Sequence, residues 1–162
     1  MLTIYQSPIG LLQLQGTESH ITHVQFVDVA TDVDCADWEL GQEAKKQLEE
    51  YFAGKRKDFD LPLQPVGTDF QQAVWKALQQ IPFGHTASYA DIAQAVGNPK
   101  AARAIGQANN RNPIAIVVPC HRVIGRNGKL TGYASGLDKK EFLLALEAPN
   151  PRRGLSDNEK SK

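Results

Sequence analysis

The chain has 162 residues, 41% hydrophobic and 22% charged, which is the composition of an ordinary globular protein. Its formal net charge is zero, which taken alone argues against binding to nucleic acid. No apolar run approaches the roughly 18 residues of a membrane span, and the N-terminal MLTIYQSPIG lacks the features of a signal peptide. We therefore expect a cytoplasmic protein in which Cys35 and Cys120 are free thiols. The cysteines and histidines lack metal-ligand spacing, so no metal site is predicted.

The charges are distributed unevenly along the chain. Residues 1–66 carry five Lys and Arg against eleven Asp and Glu, whereas residues 67–162 carry thirteen against seven. An acidic half joined to a basic half indicates that one of the two meets an anionic partner. The alternative is that the two halves attract each other.

The first half predicts antiparallel strands followed by a helix. LTIYQ and LLQLQ alternate in polarity around a turn at SPIG, and HITHVQFVD follows a second turn at GTES. The next helix ends at Gly54, and its apolar face is formed by Ala44, Leu48, Tyr51 and Phe52. The proline-rich segment DLPLQPVG predicts a boundary between domains at 1–66 and 67–148, and residues 149–162 are predicted to be a disordered tail.

Two capping boxes mark helix starts in the second half. Thr68 and Gln71 begin a helix in TDFQQAVWKALQQIPFG, in which apolar residues recur at helical spacing from Phe70 to Ile81. Ser88 and Asp91 begin a shorter helix that Gly97 ends.

Another helix is predicted directly after Gly97. Asn98 and Pro99 are good N-cap and N1 residues for a helix that runs to about Asn109. Two short helices joined by a tight turn, the second carrying Lys100 and Arg103, match a helix-turn-helix. Helical hairpins are common, so the pattern is only moderately specific, but the basic second helix favours contact with DNA.

Two further elements complete the second half. RNPIAIVVPCHRVIG predicts a short apolar strand that ends at Cys120 and is followed by a glycine-rich loop. LDKKEFLLALE predicts a helix opened by Asp138 and Glu141 and ending near Glu147. Because the macrodipole disfavours an anion at a helix C-terminus, we expect Glu147 to have a partner elsewhere.

The residues around Cys120 suit a nucleophile. The thiolate is the reactive form of cysteine, and an adjacent base or cation such as His121 or Arg122 increases its population. Adjacent side chains on a strand point to opposite faces, so His121 need not contact the sulfur of Cys120 directly. If the chain bends at Pro119, a water would bridge the imidazole and the thiol. Glu147 is a candidate to orient the imidazole. The open alternative is a buried, inert cysteine beside a core histidine.

The motif PCHRV, with NPIAIVVPCHRV and YADIAQAVGNPKAARAIG, resembles the O6-alkylguanine-DNA alkyltransferases, also called methylated-DNA–protein-cysteine methyltransferases. The resemblance is close from about Phe70 to Glu147 and implies an α+β fold. In it, a small N-terminal antiparallel sheet with helices (ribonuclease H-like) precedes a mostly α domain with a winged-type helix-turn-helix. It also implies DNA repair without a cofactor. An alkyl group moves irreversibly from O6 of guanine, or O4 of thymine, to the protein, and each molecule acts once.

The resemblance implies roles for five residues at the reacting centre. Cys120 would accept the alkyl group, and His121 would deprotonate it through a water while Glu147 orients the imidazole. Asn112 would hold this network and the active-site loop. Tyr133 would line the guanine pocket and donate a hydrogen bond to the leaving base.

Further residues would contact DNA or the substrate. Tyr89 would press on the 3′ phosphate, and Arg103 would replace the extruded guanine in the base stack of double-stranded DNA. Small residues beside Arg103 would allow close approach to the minor groove. The other expected DNA contacts are Lys100, Ala101, Ala102 and Arg111, and the expected pocket residues are Val123, Ala134 and Ser135. We expect a monomer, and cooperative binding to DNA is left open.

The sequence also departs from the family pattern at one position and admits other functions. Ser135 stands where a glycine is expected, which bears on the size of the alkyl group that the pocket accepts.

A lesion-binding protein without transfer would have the cysteine replaced, so Cys120 argues against it. A helix-turn-helix transcription factor would display base-reading side chains, which the alanine-rich second helix lacks. A cysteine hydrolase would turn over repeatedly. Tyr89, Tyr133, Asn112 and Arg103 could each have only a packing, turn-forming or surface role.

Overall fold

The computed structural model describes residues 1–29, 36–125 and 128–148. Cys35 and the predicted tail at 149–162 lie outside the described residues. The first half is a three-stranded antiparallel sheet in the order β1-β2-β3 with one helix beside it. These elements are β1 (Leu2–Ser7), β2 (Gly10–Gly16), β3 (Ile21–Val27) and α1 (Glu39–Phe52). The predicted strands and helix are therefore confirmed.

One face of this sheet packs against α1. Alternation along β2 directs Leu12 and Leu14 to the same side, where both are fully buried with Leu48 of α1. The end of α1 is as predicted, since Gly54 follows the C-cap with a φ of 77°, a conformation that glycine adopts at little cost. In the part of the chain that the structure describes, no helix has the length and apolar character needed to cross a bilayer.

The second half is mostly helical. Both predicted capping boxes are present, at Thr68 with Gln71 and at Ser88 with Asp91. A short parallel strand pair lies beside the helix-turn-helix. The elements are α2 (Asp69–Leu78), β4 (Ala87–Ser88), α3 (Tyr89–Ala95), α4 (Ala102–Asn110), β5 (Val123–Ile124) and α5 (Leu137–Glu147).

The second helix of the helix-turn-helix begins later than predicted. The backbone N–H of Ala101 donates to the carbonyl of Asn98 at 3.0 Å, which closes a turn, and the first helical residue is Ala102. Pro99 therefore takes the second position of a turn. The fixed φ of proline fits this position and the first position of a helix equally well. The prediction that Asn98 caps this helix is wrong. Arg103 lies in the first turn of α4 and is exposed.

The predicted strand before Cys120 is also wrong. The N–H of Val118 donates to the carbonyl of Ile114 at 3.0 Å, and Ile116 has a positive φ of 72°. The Asn112 side chain binds backbone groups that a strand would pair with its neighbour. Its Oδ1 accepts from the N–H of Ile114 at 3.0 Å, and its Nδ2 donates to the carbonyl of Val118 at 2.8 Å. The chain therefore approaches Cys120 through turns.

The last helix starts one residue before the predicted cap and ends as predicted. Gly136 is the N-cap, with a φ of 113°, and no side chain caps the helix. The prediction that Asp138 and Glu141 form the cap is wrong. The C-terminal residue is Glu147.

The two halves meet behind the cysteine. The N–H of Val24 in β3 donates to the carbonyl of Pro113 at 2.9 Å, and the N–H of Ala115 donates to the carbonyl of Val24 at 2.8 Å. The sheet of the acidic half therefore supports the segment that leads to Cys120.

Candidate active site

Cys120 begins a 3₁₀ helix of three residues that directly follows Pro119. Its backbone N–H donates to the carbonyl of Val118 at 2.8 Å, and its own carbonyl accepts from Asn109 Nδ2 at 3.3 Å. The residue is 6% exposed. The chain therefore does bend at Pro119, and a tight turn rather than a strand places the thiol.

A pocket of about 370 Å³ opens beside Cys120. β3 forms one wall, residues 109–112 form a second, and residues 133–135 form a third. This volume is near the lower end for small-ligand sites and suits a group of nucleobase size. Of the residues expected in the substrate pocket, Tyr133, Ala134 and Ser135 line this pocket, whereas Val123 lies outside its lining and is fully buried in β5.

Glu147 is the centre of a buried hydrogen-bond network. His121 Nε2 lies 2.6 Å from Glu147 Oε2, and the Arg122 guanidinium donates to both carboxylate oxygens at 2.7 and 3.1 Å. Tyr51, from α1, donates its hydroxyl to Glu147 Oε2 at 2.5 Å. The prediction that Glu147 has partners elsewhere is confirmed. This carboxylate connects the 3₁₀ helix, α5 and the N-terminal half.

The network fixes the protonation states of its members. Burial alone would raise the pKa of Glu147, but hydrogen bonds from His121 and Arg122 lower it to about 2. Burial lowers the pKa of His121, despite the carboxylate beside it, so the imidazole is neutral near pH 7. An ionised carboxylate can only accept, so Nε2 carries the proton and Nδ1 presents a lone pair. Nδ1 has no hydrogen-bond partner among the described residues.

The thiol of Cys120 is not activated by its surroundings alone. Burial raises its pKa, while the Asn112 side chain, the Lys140 ammonium and the Tyr133 hydroxyl act in the opposite direction. A buried thiol that is protonated near neutral pH requires a base to become a nucleophile.

Lys140 is fully buried and ties two segments of the site together. Its Nζ donates to the carbonyl of Val123 at 2.6 Å and to that of Thr131 at 2.8 Å. Thr131 in turn shares a hydrogen bond of 2.7 Å with the hydroxyl of Tyr89 at the start of α3. Lys140 thus connects α5, the loop that carries Tyr133 and the helix-turn-helix.

The predicted DNA-contacting residues lie on the outside of the molecule. Tyr89 and Ala101 are half-buried, and the exposed residues are Lys100, Ala102, Arg103 and Arg111. Arg111 also lines the pocket, so the exposed basic surface reaches the entrance to the site.

Three residues of the site were missed in the sequence, and a fourth was given a different partner. Arg122 was expected to favour the Cys120 thiolate, but its guanidinium pairs with Glu147, which nothing in the sequence shows. Tyr51 was predicted only as a core residue of α1. Lys140 stands next to Lys139 in a helix with several charged residues, and nothing in the sequence indicates that this lysine is the buried one. Asn109 is followed by Asn110, and nothing in the sequence distinguishes the two.

Comparisons with known proteins agree with this architecture. A family model described as "6-O-methylguanine DNA methyltransferase, DNA binding domain" matches residues 69–149. A model described as "6-O-methylguanine DNA methyltransferase, ribonuclease-like domain" matches residues 1–65. The chain belongs to the 6-O-methylguanine DNA methyltransferase family. The earlier resemblance and the α+β fold class that it implied are confirmed.

Relatives of this methyltransferase family are similar over nearly their whole length. The Methylated-DNA–protein-cysteine methyltransferase of Methanosarcina acetivorans is 58% identical over 149 residues, which cover 89% of this chain and 96% of that one. The constitutive enzyme of Bacillus subtilis with the same name is 51% identical over 158 residues, covering 90% and 93%. The crystal structure of Mycobacterium tuberculosis OGT in complex with DNA superposes with a TM-score of 0.83 at 48% identity, covering 91% and 94%.

Proposed function

We propose that this protein repairs DNA by transferring an alkyl group, chiefly methyl, from O6 of guanine to Cys120. The observation that carries this proposal is a buried thiol at a pocket of nucleobase size, next to a neutral histidine fixed by a buried carboxylate. Family membership and the names of the relatives support the reaction, and the structure of a relative in complex with DNA supports DNA as the partner.

His121 is the base of the proposed reaction. Its Nε2–H is held by Glu147, so Nδ1 can take the thiol proton. No direct hydrogen bond joins His121 to Cys120 among the described residues, so in this proposal the proton passes from the thiol to Nδ1 through one water. The sulfur then attacks the alkyl carbon from the side opposite O6. As the S–C bond forms, the C–O6 bond breaks and its electron pair stays on the oxygen.

Tyr133 assists the departure of guanine. Burial raises the pKa of its hydroxyl well above the usual value, so the group keeps its proton. A neutral hydroxyl in the pocket can donate a hydrogen bond to the base as negative charge develops on it. Asn112 keeps the approach to Cys120 in place through its bonds to Ile114 and Val118.

The product is a thioether, which explains a single transfer per molecule. A thioether has no proton for His121 to remove, and breaking its S–C bond would require the Cys120 thiolate to leave as the alkyl group passed to a further nucleophile, so nothing in the site regenerates the thiol. The reaction is stoichiometric and requires no cofactor. We extend the proposed substrate to O4 of thymine in the same flipped position.

DNA is proposed to bind across the helix-turn-helix through its minor groove. The exposed Arg103, in the first turn of α4, would fill the gap left by the flipped nucleotide, and the small Ala101 and Ala102 would allow the helix to approach. Lys100 and Arg111 would neutralise phosphates. We further propose a cytoplasmic monomer with a domain boundary at residues 66–67.

The Cys120→Ser variant tests the assignment. Serine keeps the shape of the site but is a far weaker nucleophile, so we expect DNA binding within about twofold of wild type and no transfer. Transfer would be followed as loss of label from a duplex containing one O6-methylguanine in excess protein. Transfer at the normal rate in this variant would overturn the proposal. Binding without transfer in the wild-type protein would indicate a lesion-binding protein instead.

A further inference from the structure

Three buried side-chain atoms of the site have no hydrogen-bond partner among the described residues. They are Asn109 Oδ1, His121 Nδ1 and Tyr133 Oη. The proposed mechanism uses His121 as the base and Tyr133 as the donor to the leaving base. It gives no role to Asn109, although a buried acceptor without a partner is costly and rare in folded proteins.

Asn109 lies in the wall of the pocket. It lies at the end of α4, is 1% exposed, and lines the pocket with Cys120 and Tyr133. Its Nδ2 donates to the carbonyl of Cys120 at 3.3 Å, which sets the orientation of the amide and leaves Oδ1 as the available atom. Oδ1 can only accept a hydrogen bond, so its partner must be a donor.

An O6-alkylated guanine has one group that can serve as this donor. Alkylation at O6 removes the proton from N1, so N1, N3 and N7 are all acceptors and only the exocyclic 2-amino group donates. A thymine alkylated at O4 has likewise lost its N3 proton and has no N–H donor at all. An acceptor buried in the pocket therefore distinguishes the two lesions.

We infer that Asn109 Oδ1 accepts a hydrogen bond from the 2-amino group of the flipped guanine and makes Asn109 a specificity-determining residue for guanine over thymine. This inference rests on the proposed function. The Nδ2 bond to Cys120 gives the same residue a positioning role, because it couples recognition of the base to the turn that holds the thiol.

The test compares two substrates that differ only in the 2-amino group. Duplexes containing either O6-methylguanine or 6-methoxypurine at the same position are incubated with excess protein, and single-turnover transfer to Cys120 is timed. Wild type is compared with Asn109→Leu, which removes the acceptor at similar volume, and with Asn109→Asp, which retains it. The ratio of the two rates is the readout, because damage to folding or to the Cys120 turn slows both substrates alike.

We expect the ratio of the guanine rate to the 6-methoxypurine rate to fall on the order of tenfold in Asn109→Leu. Asn109→Asp should retain the ratio of wild type even if both of its rates are lower. An equal ratio in wild type and Asn109→Leu would overturn the inference and leave Asn109 a structural residue. If wild type methylates Cys120 from neither duplex, the proposed function itself fails, so the two failures are distinct.

Discussion

Tyr51 and Glu147, ninety-six positions apart in sequence, are joined by a buried hydrogen bond of 2.5 Å between the tyrosine hydroxyl and the carboxylate. Tyr51 belongs to α1 of the acidic half, whereas Glu147 ends α5 and also binds His121 and Arg122. The first half therefore contributes directly to the environment of the base that we propose for the reaction.

Tyr51→Phe should weaken this arrangement without opening a cavity. The variant removes one donor to an ionised group, which lowers the free energy of unfolding by about 1.5–3 kcal/mol. The pKa of Glu147 should rise, and the single-turnover rate should fall several-fold. Urea unfolding and transfer kinetics measure the two effects. Tyr5→Phe, at a half-buried tyrosine away from the site, is the matched control. Equal effects of the two substitutions would contradict a role for Tyr51.

The ionised Glu147 should make stability depend on pH in the acid range. Its pKa in the folded protein is about 2, below the ordinary value of 4.5, so the unfolded chain binds its proton first as pH falls. The stabilisation from the ionised carboxylate is complete at pH values above its ordinary pKa. It is lost as the pH falls towards the pKa of the folded protein, at up to about 1.4 kcal/mol per pH unit. Urea unfolding across this range should show the loss in wild type but not in Glu147→Gln. Glu141→Gln, at an exposed glutamate of α5, is the control. If the free energy of unfolding changed with pH equally steeply in Glu147→Gln and in Glu141→Gln, the role of Glu147 would be refuted.

Lys140→Met should affect both stability and the thiol. The buried carbonyl of Val123 and the partly buried carbonyl of Thr131 would lose their donor, costing roughly 2–5 kcal/mol, and the ammonium that favours the thiolate would be gone. The pKa of Cys120 should therefore rise further. The pH dependence of iodoacetamide labelling, read on the Cys120 peptide by mass spectrometry, measures this change. Lys139→Met is the control, because that lysine lies over the Phe26 ring on the surface side of the helix. A thiol pKa that is the same in both variants would count against the electrostatic role.

Arg103→Ala should separate base flipping from chemistry. Transfer from duplex DNA should slow about tenfold or more, whereas transfer from the free base O6-methylguanine should be unchanged, because no nucleotide has to be extruded. Both rates follow from quantification of methylated protein over time. Arg56→Ala, which removes an arginine paired with Glu50 in the first half, controls for loss of positive charge. An unimpaired duplex reaction in Arg103→Ala would exclude the proposed role.

Much of the fold follows from local patterns in the sequence. The first two strands alternate in polarity, and the capping boxes at Thr68 and Ser88 use side chains three residues apart, so neighbouring residues suffice to predict them. The segment before Cys120 was mispredicted as a strand because the Asn112 side chain captures backbone groups that β-branched residues would otherwise place in a ladder. Pro99 suits a turn and a helix start equally, so its position did not settle where α4 begins.

The site was only partly predictable for a different reason. Cys120, His121 and Arg122 are adjacent in sequence, and the unfavourable position of Glu147 at a helix end indicated a distant partner. The contributions of Tyr51 and Lys140 depend on which elements pack together across the whole chain, and that information is absent from local spacing. The roles assigned to the site residues and the domain boundary at 66–67 stay predictions.

The most direct test of the account is the mass of the intact protein after incubation with a duplex containing O6-methylguanine. We predict a gain of one methyl group in place of one proton, located on Cys120 by peptide mapping and saturating at one per molecule. The same duplex with unmodified guanine should leave the mass unchanged. A methyl group on another residue, release of more than one equivalent of repaired DNA per protein, or an unchanged mass would contradict the account.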